Sequence, residues 1–186
     1  MGRVEVRLAG EGGQGLILAG VILAEAAAGY DGLQATQTQS YGPEARGGAS
    51  KSEVVISDAE IDYPKVIEAD VLLAMSQEAC DRYVASLKRE GTLIVDSLLV
   101  PRLPLDRRAV QVPITELAEK ATGKRITANV VALGALVGLT GVVSRAAIER
   151  AVRARAPRGT EEANAKALAA GLQWADNYLA GEVGSS

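Results

Sequence analysis

The chain has 186 residues, 48% of them hydrophobic, and a formal net charge of −3. That suits one globular domain spanning residues 1–186, large enough to close a core without a metal or a disulfide. It contains no His, no Phe and one Cys, which excludes His-based nucleophile systems, His metal ligands, cysteine-held clusters and an internal disulfide.

Further classes fall away on composition and pattern. The acidic balance and 3% aromatic content argue against nucleic-acid binding. The lone cysteine fits a reducing, cytoplasmic setting. The start, MGRVEVRLAG, lacks a signal-peptide pattern, because polar residues break each apolar run. The uncharged stretch from Ile126 to Ser144 is long enough to raise a membrane span, and Gly134 and Gly138 have the spacing of a membrane-helix contact. Its Asn129, threonines and glycines favour a buried helix packed closely through small residues instead.

In chain order, Val4 to Leu8 alternates apolar and charged residues and predicts a strand. Gly10 to Gly15 is a glycine loop, and Leu16 to Ala28 is an apolar helix ended by Gly29. A short strand is predicted over Leu33 to Thr38, then a turn-rich loop from Gln39 to Ser50. Ser52 to Ser57 and Val71 to Met75 are strands, with a helix from Gln77 to about Arg89. Further strands are predicted at Thr92 to Ser97 and Ala109 to Ile114, followed by a short helix from Thr115. The apolar helix follows from Asn129, its N-cap. Ser144 caps a helix to about Arg155, and Thr160 to Ala180 is the last helix. The Gly-Ser tail, 184–186, is predicted to be disordered. Short apolar strands alternating with helices give the fold class: a three-layer, Rossmann-like α/β domain with a largely parallel sheet and C-terminal helices.

Two motifs are dense enough to carry chemistry. Gly10, Gly12 and Gly15, with Gly13 and Gln14, form G-x-G-x-x-G between a strand and a helix, where backbone amides can meet an anion. A nicotinamide or flavin site would want an acid at the end of the second strand. That strand offers Gln and Thr, and Asp31 precedes it. Other readings of the loop are close helix–sheet packing, or contact with a different ligand or a partner's cofactor. The second motif runs through Ser40, Tyr41, Gly42, Pro43, Glu44, Arg46, Gly47 and Gly48 to Lys51. Arg46 beside two glycines can offer a guanidinium and bare amides to an anion, Glu44 can orient it, and Lys51 adds a cation. The bland alternative is a tight interface loop.

Weaker candidates have bland readings. Asp96-Ser97 suits a turn or cap at a strand end, Cys80 a buried inert thiol, and the basic stretch from Arg145 to Arg158 a solvated helix face.

The two motifs together resemble the gamma subunit of 2-oxoacid:ferredoxin oxidoreductases. The stretches DYPKVIEADVLLAMSQEA, GTLIVDS and ANVVALGALVGLTG extend the resemblance across roughly Val4 to Leu179. QSYGPEARGGASKSEVVIS is most similar to the 2-oxoglutarate branch; the pyruvate, branched-chain and indolepyruvate branches share the GGQG and RGG cores.

The resemblance implies a non-catalytic subunit of a heteromeric enzyme. That enzyme decarboxylates a 2-oxoacid on thiamine diphosphate, forms an acyl-CoA and reduces ferredoxin. Alpha and beta subunits would hold the thiamine. Iron–sulfur clusters would lie on beta or on a small ferredoxin-like delta subunit. The gamma chain would bind no cofactor alone, be inactive alone, and help shape the approach of CoA through both loops. Arg46 and Lys51 are expected phosphate contacts. A stand-alone nucleotide-binding protein is the competing reading. The apolar small-residue helix also offers a surface on which the chain alone would pair with itself.

Overall fold

A computed structural model describes residues 1–41 and 49–183. Among these residues, six strands form one sheet: β1 (Val4–Glu11), β2 (Gln34–Ser40), β3 (Ala49–Ser57), β4 (Ala69–Ala74), β5 (Leu87–Asp96) and β6 (Ala109–Val112). Their order is β2-β3-β1-β4-β5-β6. β1, β4, β5 and β6 are parallel neighbours, while β3 runs antiparallel to both β1 and β2. The sheet is therefore largely parallel, as predicted, with one reversed strand. That strand stands between β1 and β2, so the C-terminal end of β2 lies one strand spacing, about 4.8 Å, further from β1 than a direct neighbour would.

Among the described residues, six α-helices flank the sheet: α1 (Leu16–Glu25), α2 (Gln77–Tyr83), α3 (Ile114–Thr122), α4 (Ala128–Thr140), α5 (Arg145–Arg155) and α6 (Glu161–Leu179). Alternation along the strands divides the core in two. Val6, Leu8, Val54, Ile56, Leu73 and Ile94 face α1, α4, α5 and α6. Ala9, Val55, Leu72, Ala74, Leu93 and Val95 face α2 and its flanking loops.

α4 is buried from Ala128 to Val137 without a polar face, which suits a helix enclosed on all sides. No described helix is long and apolar enough to cross a membrane. α4 packs along α6. At their crossing, a Cβ on Gly171 would meet the Val131 carbonyl and the Ala135 amide, and one on Gly134 would meet the Leu168 carbonyl. The backbones approach so closely that only hydrogen fits between them.

Ser144 caps α5 as expected, its Oγ accepting from the Ala147 amide at 3.1 Å. Asp31 adds a clasp not foreseen: its carboxylate accepts from the Ser144 amide at 2.7 Å and the Ser144 hydroxyl at 2.6 Å.

Several boundaries differ from the sequence reading. α1 closes in a wider π turn over Ala26–Tyr30 rather than continuing as a regular helix. The helix expected from Gln77 to Arg89 ends at Tyr83, and after one tighter turn the chain enters β5 at Leu87. Lys-Arg-Glu is a good helix-forming triplet, but burial of Leu87 against the α2-side core overrides it. The register shift between Ala69 and Val71 accommodates the polar triplet as an irregularity, with Lys88 paired to Asp70 at 2.7 Å. Residues 184–186, with the disorder expected of them, lie outside the described residues.

Candidate functional site

The strand register brings the two sequence motifs to one edge of the sheet. Gly10 pairs with Ser50 and Glu11 with Ala49, while Ser40 pairs with Lys51. The loop leaving β1 therefore emerges beside both ends of the β2–β3 connection, at the carboxyl edge of the parallel strands. Ligand sites of open α/β sheets gather at that edge.

Three of the four glycines of the first motif have a structural reason. Gly10 is still within β1, as is Glu11, so the loop begins later than the sequence suggested. A Cβ on Gly10 would run into Gln14, Leu16 and Met75. Gly13 and Gly15 have φ of +90° and +75°, where other residues are strained. Gly12 has open space in front of it and no such φ. The requirements at Gly10, Gly13 and Gly15 are structural; the open front at Gly12 and Gly13 is not demanded by packing.

Side chains lock this loop. Gln14 Oε1 accepts from the Glu11 amide at 2.7 Å, and its Nε2 donates to the Met75 carbonyl at 2.9 Å, tying β1 to the end of β4. Asn129 is not the N-cap of α4. It lies inside the first turn, Thr127 holds the cap position, and Asn129 Nδ2 donates to the Gly15 carbonyl at 3.1 Å. A cavity of about 330 Å³ opens beside the loop, lined mainly by apolar groups including Leu18, Ile126 and Pro157, with Gly13, Gly15 and Asn129 at one wall.

The second motif is described only at its ends. Ser40 is exposed at the end of β2, and Tyr41 is 69% exposed. Gly42, Pro43, Glu44, Arg46, Gly47 and Gly48 lie outside the described residues. Lys51 sits within β3 rather than in a loop, and its Nζ pairs with Glu53 Oε1 at 2.8 Å. The same Glu53 oxygen accepts from Arg7 Nε at 2.9 Å. Arg7 also donates to Ser86 Oγ at 2.5 Å and to the Val66 carbonyl at 3.4 Å. Burial alone would push the Glu53 carboxyl up. Hydrogen bonds and charge from Lys51 and Arg7 outweigh that and hold it below the usual glutamate range. The Tyr83 ring lies 5.4 Å from the Arg7 guanidinium and 5.6 Å from the Lys51 ammonium. This cluster occupies the α2 face of the edge, and the glycine loop leads to α1 on the other.

The sequence reading missed the Arg7–Glu53 pair. Its signal was present as charged residues in the alternating patterns of two strands, but only the register makes them direct cross-strand partners.

The weaker candidates have structural roles. Asp96 is fully buried, accepting from the Leu98 amide at 2.9 Å and from both the amide and the hydroxyl of Thr115. Burial, and then the Asp81 charge, push the Cys80 thiol up, which leaves it a poor nucleophile. The basic stretch is only partly a free face, since Arg145 pairs with Asp176 and Arg155 with Glu25. No group of three or more His, Cys, Asp or Glu placed to hold a metal ion exists among the described residues.

The comparisons with known proteins agree with this geometry. Residues 5–174 match the pyruvate ferredoxin/flavodoxin oxidoreductase family. The chain is 52% identical over 174 residues to the 2-oxoglutarate synthase subunit KorC of Methanocaldococcus jannaschii, covering 92% of this chain and 93% of that subunit. Among solved structures, an oxoacid ferredoxin oxidoreductase gamma subunit from Geobacter sulfurreducens superposes with a TM-score of 0.87 at 55% identity, covering 94% and 97% of the two chains. The 2-oxoglutarate:ferredoxin oxidoreductase of Magnetococcus marinus, solved with 2-oxoglutarate, coenzyme A and succinyl-CoA bound, matches with a TM-score of 0.82 at 25% identity. There, all of this chain corresponds to 32% of a longer one. With the family match spanning most of the sheet and helices, and relatives of more than half identity along nearly the whole length, the chain belongs to the pyruvate ferredoxin/flavodoxin oxidoreductase family.

Proposed function

We propose that this chain is the non-catalytic gamma subunit of a heteromeric 2-oxoglutarate:ferredoxin oxidoreductase. The observation that carries the reading is the 52% identity to a 2-oxoglutarate synthase subunit along almost the full length of both chains. In the assembled enzyme, thiamine diphosphate held by partner subunits would supply the chemistry that decarboxylates 2-oxoglutarate, with CoA taking the succinyl group and ferredoxin the electrons. Thiamine diphosphate and the iron–sulfur clusters belong to alpha, beta and ferredoxin-like delta partners in the cytoplasm. This chain acts as one gamma-type unit and contributes the carboxyl edge of its sheet.

The residues at that edge fit CoA better than a catalytic role. Gly12 and Gly13 leave open space in front of exposed backbone, as the close approach of a phosphate requires. Gly10, Gln14 and Gly15 shape that surface. Ser40, Tyr41 and Lys51 stand at the ends of β2 and β3 beside it, and we assign Gly42, Glu44, Arg46, Gly47 and Gly48, which follow Tyr41 in sequence, to the same CoA contact. A stand-alone dinucleotide site is poorly served: β2 ends in Gln39 and Ser40, stands apart from β1, and Asp31 is engaged with Ser144 at the other end of the strand.

Co-expression with alpha and beta partners tests the substrate reading. The purified complex should reduce a viologen dye with 2-oxoglutarate and CoA at least about tenfold faster, by kcat/KM, than with pyruvate and CoA, as expected where a site pairs a substrate carboxylate absent from the competitor. Equal rates, or a preference for pyruvate or a branched-chain oxoacid, would move the chain to another branch of the family.

A further inference from the structure

The geometry points to Asn129 as the positioning residue of the glycine loop, a role that rests on the proposal that this loop faces CoA. The residue is 6% exposed, and both ends of its amide are engaged. Oδ1 accepts from the Val130 amide at 3.0 Å, which fixes the side chain on its own helix. Nδ2 donates to the Gly15 carbonyl at 3.1 Å. The same carbonyl accepts the first hydrogen bond of α1, from the Ala19 amide at 3.0 Å. Asn129 therefore grips the atom at which the loop becomes a helix, and sets the direction in which the preceding peptide units point.

The support behind that grip is rigid. α4 is enclosed on all sides and locked against α6 by the backbone approach at Gly134 and Gly171. A loop built of glycines has little conformational preference of its own. It gains a defined shape by being tied to an element that cannot move, which is how binding groups are held to ångström tolerance. Gln14 anchors the same loop to the ends of β1 and β4, so the loop hangs between the sheet and the central helix. A further observation ties the two residues: a Cβ on Gly15 would come within 2.6 Å of Asn129 Nδ2. The contact thus needs glycine at 15 for proximity as well as for φ.

The experiment uses the assembled complex and three variants. Asn129→Ala removes the tie. Asn129→Ser, too short to reach Gly15, replaces it should the alanine complex fail to assemble. Gly12→Ala probes the loop front without disturbing the fold, since its Cβ meets nothing within 4 Å.

Loss of one buried hydrogen bond predicts a rise in the KM for CoA of about five- to tenfold in Asn129→Ala. kcat at saturating CoA and the KM for 2-oxoglutarate should stay unchanged. Amide hydrogen exchange should quicken across residues 12–18 and stay slow in α4 and α6. Exchange that quickens throughout α4 and α6 would make Asn129 a packing residue and overturn the proposal. A raised CoA KM in Gly12→Ala with an unchanged one in Asn129→Ala would overturn the positioning role and leave the loop reading standing. An unchanged CoA KM in Gly12→Ala would remove the loop from the CoA path, and the positioning role with it.

Discussion

Gly171→Val should destabilise the chain by about 3 kcal/mol and lower its Tm by roughly 6–12 °C, the scale for overpacking a closed contact in a chain of this size. The contact is backbone against backbone. A Cβ on Gly171 falls on the Val131 carbonyl and within 2.7 Å of the Ala135 amide, and neither can swing aside as a flexible side chain could. The helices must separate, which opens the face of α4 that carries Val131, Gly134, Ala135 and Gly138. Gly12→Ala is the matched control, because its position is open and its φ ordinary; it should stay within about 0.5 kcal/mol of the parent. Thermal melts by circular dichroism read both. Equal melting temperatures for the two variants would contradict the close-packed crossing.

Glu53→Gln should cost about 3 kcal/mol, because it leaves a buried cation without its counter-charge. Arg7 is 4% exposed, so it cannot turn to water when the carboxylate is gone. Lys51, half-buried on the same strand, would then face it across the space Glu53 had bridged. The pH dependence has a definite sign. The folded carboxyl titrates below its ordinary value of 4.5. Its contribution is therefore complete above that value and is lost as pH falls through the lower folded one. Chemical denaturation at neutral pH should show the full gap between parent and variant, and the gap should close as the solution is acidified below about pH 4.5, where the unfolded chain's carboxylate takes up its proton before the folded one does. A gap that stays constant into strong acid would mean that the charge on Glu53 contributes nothing.

The apolar runs at Val54 to Ile56, Val71 to Leu73 and Leu93 to Val95 made the sheet legible, because strands covered on both faces are continuously hydrophobic. Ser144 announced a helix start by its side-chain chemistry. What could not be read is long-range. Nothing local says that β3 runs backwards between β1 and β2, since its composition suits either direction. Leu87 looked helical because propensity is local, whereas the core that claims it is assembled from distant strands. The glycine loop was legible as a motif, but its support was not. Asn129 reaches Gly15 across more than a hundred residues, and Arg7 meets Glu53 only through strand register. The two motifs stood apart in sequence, and the pairing of Gly10 with Ser50 is what makes them neighbours.

The central claim is that this chain completes an enzyme whose chemistry is done by its partners. Its most direct test is reconstitution from separately purified subunits, with viologen reduction by 2-oxoglutarate and CoA as the readout. This chain alone should give no turnover, the partners alone none or little, and the mixture full CoA-dependent activity. Turnover by the isolated chain, or full activity of the partners without it, would contradict the account.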